Sequence, residues 1–174
     1  LAGQRVTDRQ KDHEADLVVL MPDVGVLVLE VKGGSVWFDD GWWIRRGGRD
    51  TAVRPVDQAR DVKYALRRYV EEDPRWGSRG RVAWAHGLVT PYSRFGPAFS
   101  VPELPRWALH DRDEQVDLGA RVRDNGWGLQ HGQRPPRHDD VEALVEILSG
   151  RAPTTYDLNA DAAERSAASD RLTQ

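Results

Sequence analysis

The sequence predicts an α/β domain, a central mixed β-sheet flanked by helices. Residues 14–32, EADLVVLMPDVGVLVLEVK, place two apolar β-branched runs on either side of MPDVG, a turn-forming segment with Pro22, Asp23 and Gly25. Residues 55–72 repeat apolar side chains at helical spacing behind a proline. RVAWAHGLVTP, residues 81–91, then reads as a further buried strand.

The elements follow in order. LAGQRV reads as the middle of a strand, so the chain is expected to begin inside a domain with more sequence upstream. Residues 14–32 form a β-hairpin. Residues 35–44, SVWFDDGWWI, form a second one around the favoured turn Asp40-Gly41, and both hairpins are assigned to the central sheet. Arg45–Arg54 is expected as a basic, Gly-rich loop. In the helix that Pro55 opens, Ala59, Val62, Leu66, Tyr69 and Val70 recur on the apolar side, and Gln58, Val62, Ala65 and Tyr69 share one stripe. A Pro-rich irregular stretch from Pro91 to Pro105 leads to a short strand at Trp107–Leu109 and a helix over 113–124. Asp139 and Asp140 are expected to cap a last helix with Val141, Leu144, Val145 and Leu148 on one face, ended by Gly150. Beyond Arg151 apolar content collapses, which predicts a domain over 1–150 and a linker or tail over 151–174.

At 174 residues the chain has room for one ordinary core. No apolar run approaches the roughly 18–20 residues of a membrane span, so a cytoplasmic protein with no membrane partner is expected. The absence of cysteine removes disulfides, thiolate nucleophiles and cysteine-held zinc or iron–sulfur sites. Any metal must be held by carboxylate, imidazole or carbonyl. The net charge of −3 hides a strong asymmetry: residues 1–40 carry −4, residues 41–81 carry +5 and residues 111–174 carry −5. Only three of the 25 cations are lysine (Lys11, Lys32 and Lys63), which makes each one's placement informative.

Folding the first hairpin symmetrically about Asp23 pairs Leu20 with Val26, Val18 with Val28, Asp16 with Glu30 and Glu14 with Lys32. Two carboxylates then face each other with Cβ atoms about 5 Å apart, which is unfavourable unless a cation lies between them. Strand alternation sends Glu30 and Lys32 to one face while Val31 points away. Val18, Leu20, Val26 and Val28 on one face, and Leu17, Val19, Leu27, Leu29 and Val31 on the other, mark strands covered on both sides. Charged groups at the end of such a strand are costly unless paired or coordinated, which argues for a site. Oxygen ligands without Cys or a nearby His pair select Mg²⁺ or Mn²⁺. Such an ion activates water and stabilises charge on phosphate, and a lysine beside it neutralises developing negative charge. Phosphodiester hydrolysis is the reaction that fits.

The string HEADLVVLMPDVGVLVLEVKGG, followed by DDGWW and RPVDQA, resembles the NERD (nuclease-related) domain, a branch of the PD-(D/E)XK nuclease superfamily. The resemblance spans residues 5–110 and is specific over 14–60. It implies a restriction-endonuclease-like fold and metal-dependent cleavage of DNA in processing or repair. It places the family's Asp and Glu-x-Lys on Asp16, Glu30 and Lys32, with the Val31 carbonyl as a further metal ligand. The family's helical glutamine falls on Gln58. Related nucleases also carry an acidic residue on a helix before the first core strand, which is expected upstream of Leu1. Some place a tyrosine four residues after the glutamine, where this chain has Val62, with Tyr64 two further on. The tail, ending in DRLTQ, is similar to the entry into a Rep/UvrD-like DNA helicase, which implies a nuclease–helicase fusion.

Blander readings stand beside these. A lone Glu-x-Lys on a strand is usually a solvated face or a salt bridge. Arg45, Arg46 and Arg49 are the best candidates for contact with a DNA backbone, although charge runs are usually solvated. Of seven tryptophans, only Trp42 or Trp43, beside the basic loop, is a stacking candidate; the rest are expected in packing. Glu14 and His13 are expected as strand-edge residues. His86, His110, His131 and His138 lack metal-ligand spacing and are given no role. The main alternative to a nuclease is a noncatalytic nucleic-acid-binding or scaffolding module of the same fold. A metal-free partner-binding domain is a third.

Overall fold

The computed structural model describes residues 1–7, 12–125 and 133–150. In chain order the elements are strands β1 (Ala2–Thr7), β2 (Asp12–Met21), β3 (Gly25–Val31), β4 (Ser35–Phe38), β5 (Trp42–Arg46) and β6 (Arg49–Val53). Helix α1 (Pro55–Glu72), strands β7 (Trp84–Thr90) and β8 (Leu109–Asp111), and helices α2 (Leu118–Asn125) and α3 (His138–Leu148) follow. The central sheet has the order β1-β2-β3-β7-β8, antiparallel from β1 to β3 and parallel from β3 to β8. It is therefore mixed, as expected of a restriction-endonuclease-like α/β fold.

The second hairpin does not join that sheet. It forms a separate three-stranded sheet, β4-β5-β6. Both edges of β3 are already taken, by β2 and by β7, so the chain leaving β3 must turn away. Gly33 and Gly34 make that turn. A Cβ at Gly34 would stand 2.9 Å from the Arg45 carbonyl oxygen, a closeness only glycine tolerates. The stretch expected as a basic loop is also corrected: β5 continues to Arg46 and returns as β6. Gly47 and Gly48, at φ 55° and 77°, supply the two left-handed residues of a tight hairpin turn.

Helix α1 has the expected bounds, with Pro55 in its first turn. Val62, Ala65, Leu66 and Val70 pack with Val18, Val26, Val28 and Trp84 of the sheet and with Ala143, Leu144 and Ile147 of α3. Tyr69 departs from the expected stripe and is exposed. On the other side of the sheet, Val122 and Leu118 cover Leu27, Leu29, Ala85 and Val89. Strand β3 is thus buried on both faces, and only its last residue, Val31, is exposed.

Further along, Arg106–Ala108 form a 3₁₀ turn, and the strand expected at Trp107–Leu109 lies at Leu109–Asp111. A second 3₁₀ segment, Arg112–Asp117, leads into α2. In α3 the N-cap is Arg137 rather than Asp139 or Asp140. Asp140 sits three residues in and its carboxylate accepts the Arg137 N–H at 2.8 Å. Its ion pair with Arg134 draws that side inward, so Asp140, Ala143, Leu144 and Ile147 are buried and Val145 is exposed. The expected tail over 151–174, with the helicase-like run, lies outside the described residues, as do Trp127 and His131. Among the described residues no helix is long and apolar enough to cross a membrane.

Candidate active site

The pairing of β2 with β3 follows the register expected from symmetry about Asp23: Leu17 with Leu29, Val18 with Val28, Val19 with Leu27, Leu20 with Val26 and Met21 with Gly25. Asp23 takes φ 61° at the turn. The ladder ends at Leu17 and Leu29. One residue further, the Asp16 carboxylate leaves its place opposite Glu30 and accepts the Val31 backbone N–H at 2.7 Å through Oδ2. The expected pairing of Glu14 with Lys32 is replaced. Strand β1 lies along the other edge of β2, and Arg5, opposite Glu14 in its register, takes the carboxylate at 2.9 Å.

Lys32 continues beside β7, its N–H donating to the Val89 carbonyl at 2.9 Å. Its Nζ donates to Glu30 Oε1 at 2.5 Å, and the two side chains are only 14% and 10% exposed. Burial pushes the Glu30 carboxyl above its ordinary value. The Lys32 hydrogen bond and charge oppose that, while the charges of Asp16 and Glu14 push it further up. Burial therefore outweighs the compensation that Lys32 supplies. Among the described residues no group of three or more His, Asp or Glu side chains is placed to hold a metal; Asp16 and Glu30 are two. Among the described residues the hydrogen bonds engage Asp16 Oδ2 and Glu30 Oε1, which leaves Asp16 Oδ1 and Glu30 Oε2 as hard oxygen donors. That donor set suits a small divalent cation.

Gln58 lies in the first turn of α1, with its N–H on the Arg54 carbonyl at 3.0 Å and its side chain exposed. Val56, two residues before it, packs with Leu88, and Leu88 is the β7 partner of Glu30. The helix thus starts at the end of the sheet that carries Glu30, but among the described residues no hydrogen bond joins Gln58 to Asp16, Glu30 or Lys32. One strand step deeper, opposite Val28, is His86 of β7, and it comes with a group the sequence left unassigned, Lys63 of α1. Lys63 is buried, its ammonium 4.2 Å from the centre of the Tyr64 ring, and burial with the charges of Arg67 and Arg60 pushes it down to about 8. Burial and the charges of Lys63 and Arg60 push His86 down to about 4, so it is neutral. The isolated lysine in an arginine-rich helix was the one available signal.

The three candidate arginines separate. Arg45 is clamped by Asp50 through two hydrogen bonds of 2.6 and 2.8 Å. Arg46 and Arg49 face each other at the hairpin tip, exposed and without an ion pair among the described residues. Trp42 is buried in a second core cluster with Val36, Ile44, Val56 and Leu88, whereas Trp43 is half-buried against Trp37.

The profile of the nuclease-related domain family, NERD, matches residues 2–90. The chain belongs to this family. No curated protein and no solved structure matches it. The span matched as a NERD domain runs from β1 to the end of β7, so it holds Asp16, Glu30, Lys32, Gln58 and the β4–β6 hairpins, while β8, α2 and α3 lie beyond it.

Proposed function

We propose that this NERD domain is a metal-dependent nuclease module that hydrolyses DNA phosphodiester bonds. What supports this most is the Glu30–Lys32 pair, nearly buried at the end of an apolar central strand beside Asp16, with the Glu30 carboxyl held above its ordinary value. A structural salt bridge has no need of the neighbouring acid. Asp16, Glu30 and the Val31 carbonyl would hold Mg²⁺ or Mn²⁺. When bound, such an ion supplies an activated water and stabilises charge on the phosphate. Lys32 Nζ, fixed by Glu30, neutralises negative charge on the phosphate as it develops. Gln58 approaches the substrate from the α1 end, and Arg46 and Arg49 contact its backbone. We place the module in DNA processing or repair, with residues 151–174 leading toward a fused helicase.

The test is cleavage of labelled DNA in Mg²⁺ or Mn²⁺ by the native chain and by Glu30→Gln and Lys32→Ala. Both variants are expected to lose activity, and retained cleavage in either overturns the proposal. DNA binding without cleavage by the native chain would favour the noncatalytic module.

A further inference from the structure

Strand β5 divides its side chains between two faces. Trp42 and Ile44 point into the second core cluster, and Trp43 and Arg45, alternating with them, lie on the opposite face. The register sets Trp37 across from Trp43, and Arg45 across from Asp50. The Trp37 and Trp43 rings are nearly parallel, 12° apart in plane with centroids separated by 6.5 Å. The Arg45 guanidinium lies 5.5 Å from the Trp37 centroid, held there by Asp50. Neither ring belongs to any of the three apolar clusters, and both are half-buried, whereas Trp42, Trp76 and Trp84 are 5%, 3% and 1% exposed.

Two parallel indoles outside the apolar clusters, with a guanidinium over one of them, keep part of their surface open to solvent. Charge gives the row a direction. Beyond one end, at the Gly47-Gly48 turn, Arg46 and Arg49 stand exposed on the face that alternation shares with Trp42 and Ile44. At the other, Asp39 and Asp40 form the Phe38–Trp42 turn, and Trp43 Nε1 donates to the Asp39 carbonyl at 3.1 Å. A phosphate backbone is favoured at the first end and repelled at the second. Trp37 follows Lys32 by five residues, which bounds their separation at about 18 Å.

We propose that the outer face of the β4–β6 sheet is a base-stacking platform for single-stranded nucleic acid leading to the Glu30–Lys32 site. Bases stack on Trp43 and Trp37, and Arg46 and Arg49, set by alternation on the other face at the hairpin tip, hold the phosphates where the strand passes over that tip. In a duplex each base is already stacked on its neighbours, so the platform selects unpaired strands. The route toward cleavage rests on the nuclease proposal; the binding does not.

The experiment measures fluorescence anisotropy of the whole chain in EDTA, which removes divalent ions. The probes are labelled oligothymidylate of about 15 nucleotides, oligouridylate of equal length and the oligothymidylate–oligodeoxyadenylate duplex. Single strands are expected to bind at least about 10-fold more tightly than the duplex, with Trp37→Leu and Trp43→Leu each losing about 10-fold and Trp43→Tyr retaining most affinity. The tighter of the two single strands identifies DNA or RNA as the ligand. Oligothymidylate is also expected to quench the native tryptophan fluorescence, a readout that holds even where a leucine variant fails to fold. Equal affinity for duplex and single strand, or absence of quenching, overturns the proposal. A chain that shows these preferences yet does not cleave in Mg²⁺ would sink the nuclease proposal alone, and one that cleaves without them sinks only the platform.

Discussion

Asp140 and Glu30 are both buried carboxylates with a cationic partner, yet their surroundings drive them in opposite directions. Asp140 accepts the Arg134 guanidinium at 2.5 and 3.1 Å and the Arg137 N–H at 2.8 Å, with Arg79 3.7 Å away. The Arg134 hydrogen bond, with help from Arg137 and Arg79 and against the cost of burial, holds its carboxyl below the usual range. Glu30 has Lys32 alone, and burial and two acidic neighbours hold its carboxyl above that range. The first arrangement joins the start of α3 to the segments around Arg79 and Arg134. The second leaves the negative charge incompletely answered, which favours a further cation and opposes folding in its absence.

The largest effect that separates the two is on catalysis. Glu30→Gln is expected to lower cleavage by roughly 1,000-fold, the scale of losing a charge placed at a reacting centre. Thermal unfolding should show its midpoint unchanged or raised, because the amide removes an ionisation that opposes the native state. Asp140→Ala should do the reverse. It leaves Arg134 near a buried hole and removes the carboxylate that accepts the Arg137 N–H at the start of α3, for a loss of about 3 kcal/mol in urea unfolding, with cleavage per folded molecule preserved. If both variants lose stability equally, the contrast fails.

This contrast was only half legible in the sequence. The Glu30 site could be read because its charges interrupt strands that are apolar on both faces, and a period of two fixes which residues share a face. The symmetric register then followed from the turn at Asp23. Asp140 could not be read, because its partner Arg134 comes from an irregular segment that no periodicity marks, and an acid before a short helix looks like an ordinary cap. That the second hairpin forms its own sheet is hidden from the sequence for a related reason. That β3 has no free edge is a fact about β7, more than fifty residues away. The sequence hides β6 because its residues are nearly all exposed, so no apolar alternation announces it, and Gly47-Gly48 reads as loop rather than turn.

Acid titration sharpens the comparison with a smaller effect. Asp140, depressed from 3.8, contributes stability that is present above that value and lost as pH falls through its lower folded value. Glu30, raised from 4.5, contributes stability that is fully present below that value and lost as pH rises through its higher folded value. Unfolding midpoints followed from neutral pH downward should therefore gain from Glu30 first and then fall as Asp140 protonates. Glu30→Gln should abolish the gain and Asp140→Asn the later fall. At neutral pH, Mg²⁺ at 10 times its dissociation constant should restore about 1.4 kcal/mol to the native chain and almost nothing to Glu30→Gln.

The smallest effect carries the same distinction to the arginines. Arg45, clamped by Asp50, resembles Asp140 in being already answered, whereas Arg46 and Arg49 resemble Glu30 in retaining charge for something outside the chain. Each phosphate neutralised by such a cation releases counterions, so the slope of log affinity against log salt counts the cations in use. Arg46→Ala and Arg49→Ala should each reduce that slope by about 1 and weaken DNA binding several-fold at moderate salt. Arg45→Ala should change the slope less, because Asp50 would be freed as an opposing charge only after the guanidinium had ceased to be available to phosphate anyway. Its main consequence should be loss of the cover over Trp37, seen as a change in tryptophan emission. A slope governed by Arg45 would mean that the Asp50 clamp opens on binding, and the division between answered and unanswered charge would then not hold on this sheet.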